Sequence, residues 1–266
     1  MQGIADYEFL RPLGSGNHGQ FFLARRPARL PIDTEYVAVK VLGGESTADT
    51  FRRATREMKA FASVRSPYLV TLYDAGQHDG IFYYSMEYLP EGSLADPAHP
   101  LTQAFVVRAV ADAARAAAAL HGVGIVHRDI KPSNVLLTTV GAKLSDLGLS
   151  QVFTPGVTLT GMGSIASVEY TDPELLHGEP PGPHNDVWSL GVMLNRAVSG
   201  QGVYGELSVT DGLLALRKLL ATKPEVSSLL PPSVAEIVQE SLAPPATRPT
   251  AAVMAERLAV AAASLT

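Results

Sequence analysis

The sequence predicts an α+β fold of two lobes, a smaller β-rich one followed by a larger helical one. Three observations carry this reading. Short runs of aromatic and β-branched residues fill the chain up to about residue 90. Helical apolar spacing takes over from about residue 101. Between them, Pro, Gly and Ser cluster over Pro90–Pro100.

The β-type runs are Tyr7–Pro12, Gln20–Ala24, Tyr36–Val41, Leu69–Asp74 and Ile81–Tyr88, punctuated by Gly14, Gly16, Gly19, Pro27, Pro31, Gly76 and Gly80. One helix interrupts them: Thr47 reads as its N-cap, and Phe51, Ala54, Met58 and Phe61 recur at helical spacing. Gln103–Leu120 is a strong alanine-rich helix ended by Gly122. Later helical patterns lie at Asp186–Val198, Asp211–Leu220, Ser233–Ser241 and Thr250–Ala262.

With 266 residues, 46% hydrophobic and 18% charged, the chain is globular in composition rather than disordered. Its longest apolar stretch, Ala109–Leu120, is broken by Asp112 and Arg115, well short of the roughly 20 residues a membrane span needs. Asp6 and Glu8 near the start leave no secretory h-region, so a cytoplasmic location is expected. A net charge of −5 gives no reason to bind nucleic acid or anionic lipid. Zero cysteines exclude disulfides, thiolate catalysis and cysteine metal sites.

Several motifs carry chemistry. Gly14-Ser15-Gly16-Asn17-His18-Gly19 lies between two predicted strands, and such glycines let backbone approach a phosphate. A strand, not a helix, follows at Gln20–Leu23, which excludes a dinucleotide fingerprint. Val37-Ala38-Val39-Lys40 ends an apolar run on a lysine. Glu57 lies on the apolar stripe of the first helix, where an inward acid needs a cation, and Lys40 is the candidate. His127-Arg128-Asp129-Ile130-Lys131-Pro132-Ser133-Asn134 reads as a polar loop between two short strands, at Ile125–Val126 and Val135–Leu137. Asp146-Leu147-Gly148 follows. Asn134 and Asp146 offer hard oxygen ligands suited to Mg²⁺, and Asp129 with Lys131 can share one site as base and phosphate-neutralising cation.

In this order, the glycine loop, strand lysine, HRDxKxxN and DLG elements resemble a eukaryotic-type Ser/Thr protein kinase domain of the bacterial branch. Asp172-Pro173-Glu174 stands in the place of the family's APE, Asp186–Gly191 resembles DxWSxG, and Arg248 resembles a late family arginine. The resemblance covers the chain from about residue 7 to its end and implies a protein-kinase-like fold. The N-lobe would be about 1–89, the hinge and linker about 87–100, and the C-lobe about 101–266.

The resemblance also implies roles. Backbone at Gly14, Gly16 and Gly19 would cover the ATP phosphates, and Lys40 would hold them and pair with Glu57. Phe21, Ala38, Met86, Glu87, Leu89 and Leu136 would line the adenine pocket, with Met86 as gatekeeper and Ser93 near the ribose. Asp129 would orient the substrate hydroxyl, Lys131 would neutralise the migrating phosphoryl group, and the Ser167 hydroxyl would bridge the two. Asn134 and Asp146 would hold Mg²⁺, with Mn²⁺ an accepted substitute. Phe61, Leu72, His127 and Leu147 would form an apolar spine. Glu174 would pair with Arg248, and Asp186 would brace the catalytic loop.

The implied activity is Mg-ATP-dependent phosphorylation of Ser and Thr hydroxyls on proteins. Autophosphorylation at Thr158 or Thr160 would proceed in trans through a homodimer, with Arg128 pairing with the phosphorylated threonine. Phe21 in place of Val, Leu147 in place of Phe, Asp172 in place of Ala and Ser167 in place of Thr depart from the pattern, but none removes a catalytic charge. The alternatives are a nucleotide-binding scaffold with weak turnover and a small-molecule kinase of similar fold. Lys40, Asp129, Asn134 and Asp146 argue against the first, and Arg128 and Lys131 against the second.

Overall fold

A computed structural model describes residues 2–16, 19–43, 48–146, 168–208 and 210–265. They form two compact units. The first is built from the chain up to Ser63 together with Val70–Tyr88, and the second from Val64–Leu69 and the described residues after Tyr88.

Among the described residues, the first unit is an antiparallel sheet with one helix. Its strands are β1 (Gly3–Ile4), β2 (Tyr7–Gly16), β3 (Gly19–Arg25), β4 (Tyr36–Leu42), β5 (Leu72–His78) and β6 (Ile81–Glu87), in the order β1-β2-β3-β4-β6-β5. Side chains alternate across a strand, so Val37, Val39 and Val41 join Tyr7, Ala24 and Tyr83 in one core, while Ala38 and Lys40 share the opposite face. The helix α1 (Ala48–Ser63) rests on the sheet through Phe51, edge-on to Phe82 at 5.6 Å. The expected N-cap of α1, Thr47, lies outside the described residues. β5 and β6 meet at Asp79–Gly80, both with positive φ (48° and 79°), which a two-residue turn matched to strand twist requires.

The expected strand Leu69–Asp74 is corrected to Leu72–His78. Leu69 pairs instead with Leu144 in an isolated parallel bridge, and its N–H donates to Ser66 O at 3.3 Å. Its apolar side chain is thus spent on the second unit, where residues 64–69 belong.

The second unit is organised around α2 (Gln103–His121), which starts at Thr102, whose Oγ1 accepts from Phe105 N at 3.2 Å. Most alanines of this helix are buried, among them Ala109, Ala113, Ala114 and Ala117, and the face of Arg108 and Arg115 stays open. A helix buried over most of its circumference is central to its unit. It packs against a hairpin of β7 (Val135–Leu137) and β8 (Ala142–Leu144), and against α4 (Pro183–Ser199) and α7 (Ala251–Ser264). The other α-helices among the described residues of this unit are α3 (Pro173–Leu176), α5 (Gly212–Ala221) and α6 (Pro232–Ser241). The sequence reading expected a strand at Ile125–Val126, but these residues are not in a strand. Ile125 N donates to Leu120 O, and His127 N to a side chain, so the ladder bonds that would make a strand are already taken. No helix among the described residues is long and apolar enough to cross a membrane.

Candidate active site

The second unit brings together His127, Asp129, Lys131, Asn134 and Asp186. The loop before β7 is held from below by Asp186 on the first turn of α4, which is 1% exposed. Its Oδ2 accepts His127 N at 2.8 Å and its Oδ1 accepts Arg128 N at 2.9 Å. His121 at the end of α2 bonds the same Oδ2 through Nε2 at 2.7 Å. One carboxylate thus fixes two consecutive backbone N–H groups, and Arg128 is turned into the left-handed region at φ 68°.

His127 is fully buried. Its Nε2 donates to Ser145 O at 3.0 Å and its Nδ1 accepts Asp129 N at 3.3 Å, which defines a neutral ring with the proton on Nε2. Desolvation holds its pKa below the ordinary value, in agreement with that tautomer.

Beyond it, Lys131 Nζ donates to both carboxylate oxygens of Asp129, at 2.9 and 2.8 Å. Asn134, on the short 3₁₀ turn Pro132–Asn134, donates Nδ2 to Asp129 O at 2.7 Å and to Asp129 Oδ2 at 3.1 Å. Asn134 O in turn accepts Ser145 N at 2.8 Å, which ties the loop to the residue before Asp146. Asp146 itself has φ 63°.

The donor set suits the expected cation. With the Asn134 amide nitrogen spent on Asp129, its Oδ1 is the atom left to act as a hard ligand. Among the described residues no group of three or more His, Cys, Asp or Glu could hold a metal. A pair of oxygen donors completed by water and phosphate is how Mg²⁺ is usually held.

The first unit places the expected nucleotide residues on its sheet. Gly14 has φ 148°, which only glycine adopts without strain, and it pairs with Phe21, while Gly16 pairs with Gly19. Lys40 on β4 is buried, and its Nζ stands 4.7 Å from the Phe21 ring centre on the neighbouring strand. The ring expected to meet adenine therefore also carries a cation–π contact. Ala38 pairs with Met86, and both are buried. Glu87 N donates to Thr71 O at 2.9 Å, so an adenine contact from Glu87 falls to its carbonyl. Glu57 is half-buried on α1, which also carries the buried Phe61, and Leu72 opens β5. In the second unit, Ser93 and Leu136 face each other in an antiparallel bridge, and Leu89 is half-buried before them. Ser167, Leu147, Thr158 and Thr160 lie outside the described residues.

One expected pair is replaced. Arg248 bonds Asp172 rather than Glu174, through its two terminal guanidinium nitrogens Nη1 and Nη2. Both side chains are buried, Asn185 Nδ2 donates to Asp172 Oδ2 at 2.7 Å, and Arg248 lies 4.8 Å from the Trp188 ring. Asp172 caps α3, whose first turn holds Glu174, and the capping position is the one that faces Arg248. The sequence reading also passed over His121 and Ser145. A histidine in the last helical turn was a visible signal for the first; a serine bonding through its backbone carbonyl gave none.

Comparison with known proteins agrees with this geometry. The protein kinase domain family matches residues 7–257. Serine/threonine-protein kinase PrkC of Bacillus subtilis is 31% identical over 251 residues, covering 89% of this chain and 37% of its own length. Serine/threonine-protein kinase PknJ of Mycobacterium tuberculosis is 32% identical over 238 residues, with 86% and 40% covered. Probable serine/threonine-protein kinase PkwA of Thermomonospora curvata is 30% identical over 240 residues, with 88% and 31% covered. The chain thus spans well under half the length of these relatives. Its loop of Asp129, Lys131 and Asn134, braced by Asp186, and the family match over nearly its whole length make it a member of the protein kinase domain family.

Proposed function

We propose that this chain transfers the terminal phosphoryl group of Mg-ATP to Ser and Thr hydroxyls of proteins, and that it acts in the cytoplasm. The observation that carries the reading is the double hydrogen bond from Lys131 Nζ to Asp129. A carboxylate held by a cation and an amide can orient a hydroxyl and receive its proton, while the ammonium offsets charge on a phosphoryl group. Lys131, two residues after Asp129, and the names of the relatives both point to Ser/Thr substrates.

In this reading Lys40 and the backbone at Gly14, Gly16 and Gly19 hold the triphosphate, while Ala38, Met86, Glu87, Leu89 and Leu136 receive adenine. Asn134 and Asp146 hold the magnesium ion, which supplies charge neutralisation when bound. Ser167 steadies Asp129 and Lys131, and phosphorylation at Thr158 or Thr160 in trans between two copies raises activity.

The test is transfer of labelled phosphate from ATP to a generic basic protein. Wild type is expected to label it, with Asp129→Asn and Lys40→Met reduced by at least roughly a hundredfold. Equal labelling by wild type and Asp129→Asn would overturn the reading.

A further inference from the structure

The second unit carries a cavity of about 570 Å³ that uses none of the catalytic residues. It is lined by α2, the β7–β8 turn, Pro67–Tyr68 and the last turns of α7. Its charge is opposite to that of the chain. Arg108, Arg115 and Lys143 line it against one acid, Asp112, in a protein whose net charge is −5.

That acid is already committed. Asp112 Oδ1 accepts Arg115 Nη1 at 2.6 Å, and its Oδ2 accepts Ala142 N at 3.1 Å. The turn is shaped around it, because a Cβ on Gly141 would stand 2.2 Å from Asp112 Oδ2. Arg115 is held in place over the Tyr68 ring at 5.2 Å, with one of its five N–H donors on Asp112. Arg108 is exposed and has no ion-pair partner among the described residues. Alanines provide the apolar part of the wall, including Ala111 and Ala259, and Val140 at the turn is 74% exposed.

We propose that this cavity docks an acidic, extended segment of a partner protein, with an aliphatic side chain between its carboxylates. Charge complementarity selects the class of ligand. The spacing selects its form: Arg108 and Arg115 are seven helical residues apart, about 10 Å along the axis, and an extended peptide turns alternate side chains to one face, so positions i and i+4 present theirs about 13 Å apart, within reach of the two long arginine side chains. Carboxylates four positions apart meet both arginines, and the side chain midway between them, on the same face, meets the alanine wall. A flat base has no clear stacking surface here, since the Tyr68 ring already carries Arg115.

The probe is a fluorescein-labelled hexapeptide with two glutamates four positions apart and leucine midway between them, compared with its diglutamine twin by fluorescence anisotropy. Wild type is expected to bind the glutamate peptide roughly tenfold or more tighter than the twin, with binding weakening as salt rises. Arg108→Glu, at an exposed site, is expected to lose that preference. Ala259→Trp, which fills the cavity without changing charge, is expected to weaken binding of the glutamate peptide. Asp129→Asn is expected to bind like wild type, so a failure of docking and a failure of catalysis are read separately. Equal binding of the twins, or unchanged binding by Arg108→Glu, overturns the proposal. So does Arg108-dependent thermal stabilisation by citrate without peptide binding, which would assign the cavity to a small anion.

Discussion

Arg248 and Asp172 form a buried pair with the hydrogen bonds that a charge removed from water requires. Deleting one partner strands the other. Arg248→Ala is expected to lower unfolding free energy by about 3–5 kcal/mol, whereas Glu174→Gln should change it by less than about 1 kcal/mol. Urea denaturation of both variants checks this, and a larger loss in the Glu174 variant would restore the pairing expected from sequence. His127 gives a second test. Its folded pKa lies below the ordinary 6.5, so the unfolded chain binds a proton that the folded chain refuses. Its contribution is fully present above about 6.5 and is lost as pH falls toward the folded pKa. Urea denaturation between pH 7.5 and 5.5 should show stability falling with pH, and His127→Phe, though less stable at both ends, should show a shallower slope.

At the scale of elements, α2 shows how composition becomes architecture. Its buried alanines admit helices and a hairpin close to its axis, and there is little slack for a longer side chain. Ala117→Leu is expected to cost about 1–3 kcal/mol by overpacking, and Thr102→Ala about 1 kcal/mol through the lost cap. Thermal melts distinguish these from an exposed control such as Ala252→Leu. Helix α2 and the strands β3, β4 and β6 were legible in the sequence because periodicity and punctuation agree there. Leu69 and Ile125 were misleading because an apolar run marks burial without naming the partner that buries it. Motif spacing located Asp129, Lys131 and Asn134. The Arg248 partner was not legible from spacing, because Asp172 and Glu174 are both acids within reach of the same short helix, and only the capping geometry separates them.

For the molecule as a whole, the two units divide the proposed labour: the sheet carries Lys40 and the glycine loop, and the helical unit carries Asp129, Asn134 and Asp146. A ligand that binds only the folded chain stabilises it by mass action. A non-hydrolysable ATP analogue with Mg²⁺ at about a hundred times its Kd should therefore add about 2.7 kcal/mol to stability. Lys40→Met should show much less of this at the same ligand concentration. An unchanged melting temperature in wild type would count against nucleotide binding.

The phenol of Tyr7 hydrogen-bonds Asp74 Oδ2 at 2.9 Å and Ser85 Oγ at 2.8 Å, while Arg29 clasps both Asp6 and Asp74. The opening of β2 is therefore a clasp across the sheet rather than a loose leader. An expression boundary drawn at residue 7, where the family match starts, would discard Asp6 and half of the arginine's grip. A boundary drawn at Phe9 would also strip the phenol from the half-buried Asp74 and the buried Ser85, so protein engineers trimming this end should keep everything from Gly3 onward.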